Sequence, residues 1–121
     1  MVYIAEAHAE DEWPISSGRF AVDGRPVRVA QPTTGAERCA AAAQFAQDYG
    51  VAWPLCVDPP IQKTAAGAGG GDGVFEREYA PWPLRFYGVH GGVMQYIASP
   101  QQCSYDLTEV RSWLLGALTG A

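Results

Sequence analysis

The chain is short of basic side chains, short of cysteine and without a long apolar run, and each shortage removes a class of function. Its eight Lys and Arg are scattered against thirteen Asp and Glu, for a formal net charge of −5. No basic stripe of the kind that phosphate backbones require can be built from them, so nucleic acid is not an expected partner. No apolar stretch approaches the roughly 20 residues of a membrane span, and the first residues carry neither a basic n-region nor an apolar h-region. The expectation is therefore a cytoplasmic chain with no membrane segment and no signal peptide. Cys39, Cys56 and Cys103 are odd in number and widely spaced, which argues against a disulfide framework, a CxxC redox pair or a zinc knuckle, and no metal site is expected. Cys39 and Cys56 read as buried small hydrophobes. The glycine-rich run TAAGAGGGDG at 64–73 lacks the Lys-Ser/Thr that a phosphate-binding loop needs and does not fit the dinucleotide fingerprint, so it reads as a flexible loop.

What is present suits one compact domain over 1–121, at 48% hydrophobic residues. Val2 to Ala7 is a short apolar run with β-formers, read as a buried strand that Trp13-Pro14 follows. Residues 16–35 are rich in Ser, Gly, Pro and Thr and read as irregular, with a short edge strand at Pro26 to Val29. Thr34 with Glu37 three residues later forms a capping box, and Gly50 supplies a left-handed stop, so a helix is expected over Ala36 to Asp48. Its stripe of Cys39, Ala42, Phe45, Ala46 and Tyr49 would turn Cys39 to the core. Trp53 to Pro60 is a strand fenced by prolines and closed by Asp58. Val74 to Tyr79 gives one helical turn. Leu84 to Val89 and Val93 to Ala98 form a hairpin on His90-Gly91-Gly92, with His90 solvated. Asp106 caps a last helix, with Glu109 at its third position, packed through Leu107, Val110, Leu114 and Leu118.

A strand joined through a helix to another strand implies a parallel pair, hence an α/β fold. A proline ahead of a strand that leads into a terminal hairpin and helix resembles thioredoxin-like proteins, whose cis-proline corresponds by that resemblance to Pro83. The opening segment narrows the likeness. Tyr3-Ile4-x-Glu6-Ala7-His8, followed by Asp11 and Trp13, resembles the signature strand of the iodothyronine deiodinases, a selenoenzyme branch of the thioredoxin superfamily. Glu37-Arg38, Val57-Asp58 and Arg85-Phe86-Tyr87 are similar to later stretches of that family, as are Tyr105, Glu109, Val110, Arg111, Trp113 and Leu114 in the closing helix. The chain departs from the pattern at Ala5, where the family is acidic, at Glu12, where it has glycine, and at Ala30-Gln31-Pro32, where it places a second histidine.

The resemblance implies a thioredoxin-like mixed sheet with flanking helices, entered after the strand-turn-helix unit that carries the family's selenocysteine or cysteine. On that reading Met1 is an internal methionine and the chain is the carboxy-terminal portion of a deiodinase, inactive without its nucleophile. The implied chemistry is reductive removal of iodine from an iodinated phenol, with no bound cofactor and an external thiol reductant. The family tends to work as a homodimer, so a homodimer is an expected state, and full-length members are commonly membrane-anchored. Proton delivery to the ring carbon calls for a group that holds a proton near neutrality, as histidine does, and a carboxylate beside it. Glu6 and His8, two apart on an expected strand, share one face and are the candidate catalytic pair. Trp13 is the candidate lining for the substrate ring. The alternatives are a peroxiredoxin-like thiol oxidoreductase, suggested by the segment Tyr49 to Pro60, and a non-catalytic thioredoxin-fold binding module. Cys103, in a polar loop, is the one cysteine placed to act as a nucleophile and is expected to be a bystander.

Overall fold

The computed structural model describes residues 1–14, 21–60, 73–98, 100 and 104–120. Cys103 and positions 64–72 of the glycine-rich run lie outside the described residues. The protein is a small mixed α/β chain whose described strands form three two-stranded sheets, one parallel and two antiparallel. It divides into two compact units, Met1–Trp82 and Pro83–Ala121. None of the described helices is long and apolar enough to cross a membrane.

In the first unit, strand β1 (Val2–Tyr3) runs parallel to β4 (Cys56–Val57), with Val2 opposite Cys56 and Tyr3 opposite Val57. The expected strand over Val2 to Ala7 is thus cut to two residues. The ladder ends where Asp58 donates its amide to the Tyr3 carbonyl at 2.9 Å. Pro59 and Pro60 follow and have no amide to continue it. Beyond the break the chain turns, and the Ala9 carbonyl receives the amides of Glu12 (3.2 Å) and Trp13 (3.1 Å).

Strands β2 (Ala21–Val22) and β3 (Arg25–Pro26) form a hairpin where sequence reading expected irregular chain and an edge strand at Pro26 to Val29. Asp23 (φ 51°) and Gly24 (φ 75°) are both left-handed, the conformation a two-residue turn needs to match strand twist. The Asp-Gly pair was the available signal for this hairpin.

Helix α1 (Gly35–Asp48) has the expected capping box: Thr34 Oγ1 accepts the Glu37 amide at 3.2 Å, and Glu37 Oε2 accepts the Thr34 amide at 3.0 Å. At its other end Gly50 (φ 61°) donates to the Gln47 carbonyl and Val51 to that of Ala46, a Schellman closure. The buried stripe, however, is rotated from the expected one. Arg38 (2% exposed) and Ala42 (1%) face inward, while Cys39 and Cys56 are exposed. Cys39 is displaced because Arg38 finds a partner inside, donating from Nη1 to the Asp58 carbonyl at 2.7 Å. Cys56 sits on β4 beside the half-buried Val57, and alternation along the strand turns the thiol to the uncovered face.

The short helix α2 (Val74–Tyr79) follows Gly73, whose missing side chain leaves its first amides without a local cap. The Asp58 carboxylate supplies it from a distance, accepting from Phe75 (3.0 Å) and Glu76 (2.9 Å). A Cβ on Gly73 would fall on that carboxylate, so the close approach requires glycine.

The second unit opens at the exposed Pro83. Strands β5 (Phe86–His90) and β6 (Val93–Ala98) pair antiparallel across Gly91-Gly92, both left-handed, and His90 is exposed as expected. A bulge between Gly88 and Val89 shifts the register. Helix α3 (Leu107–Thr119) is capped by Asp106, which accepts the Thr108 amide at 2.8 Å. Of the expected face, Val110 is half-buried and the leucines are not. Leu107, Leu114 and Leu118 are exposed, at 63%, 49% and 74%. The indole of Trp113 sets the rotation instead, stacking on Tyr96 at 5.3 Å and lying against the bare Cα of Gly88.

Candidate functional site

An open cleft of about 980 Å³ lies in the first unit. Glu6 and His8 both line it, but not for the reason the sequence suggested. They sit in the turning segment after β1, not on a strand, so the alternation argument does not apply. What holds the Glu6 backbone is Gln31. Its Oε1 accepts the Glu6 amide at 3.0 Å and its Nε2 donates to the Glu6 carbonyl at 3.0 Å, a side-chain imitation of strand pairing. The Gln31 amide also donates to Asp11 Oδ1 at 2.8 Å, and Nε2 reaches Glu12 Oε2 at 3.1 Å. One glutamine thereby fixes the path from residue 6 to residue 12.

Burial raises the pKa of Glu6 above the usual carboxylate range, and the nearby positive charge of Arg38 pulls it part of the way back. Its Oε1 is buried without a hydrogen-bond partner among the described residues. The carboxyl is therefore a weaker acid than an exposed glutamate.

His8 Nδ1 lies 3.3 Å from the Trp13 carbonyl oxygen. A carbonyl only accepts, so the contact puts the proton of a neutral ring on Nδ1 and leaves Nε2 as the basic nitrogen. The Trp13 indole also meets the imidazole edge-on at 5.5 Å and stacks on Trp82 at 6.2 Å. Trp13 is 62% exposed and is not among the residues lining the cleft. It braces His8 from outside, whereas the aromatic wall comes from Tyr3, Phe45 and Tyr49. Those rings touch in series, Tyr3 to Phe45 at 5.7 Å and Phe45 to Tyr49 at 4.8 Å. Pro83 belongs to the second unit.

The first unit also buries three charged residues that sequence reading did not assemble, Arg38, Asp58 and Glu76, at 2%, 5% and 5% exposure, and Arg38 is the one whose charge acts on Glu6. Asp58 was legible as the end of its strand, but the burial of Arg38 and Asp58 was not, because periodicity places apolar residues in a core and charged ones outside. Gln31 carried no signal of its own. A comparison of the chain with protein-family models, curated proteins and solved structures finds no match.

Proposed function

We propose that the chain supplies the proton-handling half of a deiodinase-like oxidoreductase of thioredoxin-like fold, acting on an iodinated phenol. The observation that carries the reading is that Glu6 and His8 line one aromatic-walled cleft whose volume suits a small aromatic ligand. The nucleophile is a selenolate or thiolate that the family resemblance places ahead of Val2. It attacks the iodine, so that a selenium–iodine or sulfur–iodine bond forms as the carbon–iodine bond breaks, and the ring carbon takes a proton. We assign delivery of that proton to Glu6, whose pKa burial raises, and to His8 once its basic Nε2 has taken up a proton from solvent. Two external thiols then reduce the iodinated intermediate, release iodide and leave as a disulfide.

A second reading, a binding module without catalysis, is favoured by the exposure of Leu107, Leu114 and Leu118 on α3. Iodide release separates the two. The assay uses an iodinated phenol and a dithiol, with the chain expressed together with the coding sequence in frame upstream of Met1. Release that His8→Ala suppresses supports the deiodinase; no release above the protein-free rate removes it.

A further inference from the structure

The charges around the cleft are unevenly compensated. Glu6 has Arg38 behind it, and Glu10 is paired with Arg28 at 2.9 Å. Asp48 lines the cleft without any ion pair among the described residues; only Gln44 Nε2 donates to its Oδ1, at 2.8 Å. Asp48 is the last residue of α1, where the helix dipole presents its negative end, and the last turn holds no basic side chain to offset it. The three lining rings, Tyr3, Phe45 and Tyr49, belong to the same end of the cleft, with Phe45 and Tyr49 flanking Asp48 along the chain. Aromatic faces, a carboxylate and a helix C-terminus all attract positive charge, and each repels a carboxylate.

We propose that this end of the cleft is an organic-cation site, so that the aromatic ligand it takes carries an ammonium group and no carboxylate. The inference rests on the functional reading above only for the phenol ring; the cation site stands on Asp48 and the three rings. It selects arylalkylamines over aryl acids as the ligand class.

Three probes test it by calorimetry on the full chain at low ionic strength: an iodinated tyramine, the iodinated hydroxyphenylpropionate of the same ring, and an uncharged iodophenol. The amine is expected to bind at least about tenfold more tightly than the acid, and added salt should narrow the gap. Asp48→Asn should weaken the amine roughly fivefold and leave the iodophenol unchanged, while Tyr49→Leu should cost the amine roughly threefold. Far-UV circular dichroism checks that both variants fold, and Tyr49→Phe, which keeps a ring, should restore most of the loss. Equal binding of amine and acid, or an Asp48→Asn variant that binds the amine as the parent does, overturns the proposal. Amine binding that depends on Asp48, with no iodide release from the chain expressed together with its upstream coding sequence, leaves the cation site and removes the deiodinase. Iodide released equally from amine and acid does the reverse.

Discussion

Arg38 and Asp58 hold the first unit together through the main chain: the buried guanidinium donates to the Asp58 carbonyl at 2.7 Å, which leaves the Asp58 carboxylate for the amides of Phe75 and Glu76. One residue therefore joins α1, the end of β4 and the start of α2. Amide hydrogen bonds to a buried carboxylate contribute more than neutral ones, so Asp58→Ala should lower stability by about 3 kcal/mol. Asp58→Asn, which keeps one acceptor oxygen, should lose about half of that. Urea midpoints measure both, and an alanine variant within about 1 kcal/mol of the parent would show that α2 does not depend on this cap.

Gly88 and Trp113 make the corresponding joint in the second unit. A Cβ at position 88 would fall on the indole, so Gly88→Ala should cost about 1–3 kcal/mol, the range for overpacking. The near-ultraviolet dichroism of the Tyr96–Trp113 stack should change with it. Adding Trp113→Leu to Gly88→Ala should recover part of the loss, because the clash needs both partners. If the double variant is less stable than the sum of the singles, the contact is not the cause.

Glu6 gives a pH dependence whose sign follows from its raised pKa. Because the folded state holds the proton more tightly than the unfolded chain, this group's contribution is fully present below the unfolded pKa and is lost as pH rises through the folded one. Glu6→Gln removes the ionisation. Relative to the parent, the variant should gain stability as pH rises from acid to neutral and show its smallest difference at the acid end. Thermal melts across that range check the slope, and a difference that shrinks with rising pH contradicts it.

His8→Ala should separate rate from stability. Proton transfer by a positioned side chain is worth ~10²-fold to 10⁴-fold, whereas a half-buried turn residue contributes at most about 1 kcal/mol to folding. Glu6→Gln should match the rate loss if Glu6 itself delivers the proton and fall well short of it if Glu6 only orients His8. Iodide release and melting, read on the same preparations, distinguish these. A variant that melts early with its specific activity intact gives His8 a structural role only.

The features legible in the sequence were those whose cause lies within a few residues. Thr34 with Glu37, Gly50, Gly91-Gly92 and Asp106 each act on backbone groups no more than four positions away, and the structure places each as expected. The Asp23-Gly24 turn was equally local and went unread. Tertiary structure decided the rest, because burial depends on partners distant in sequence. Nothing near Arg38 indicates that a carbonyl 20 residues on will take its charge inward and turn Cys39 out. The length of β1 was set by the prolines that follow β4, and the face of α3 by a glycine across the hairpin. Glu6 and His8 were picked out by residue type and family likeness. The place of Glu6 in the cleft depended on Gln31, 25 residues beyond it, because only a folded chain brings that amide side chain to the backbone of residue 6.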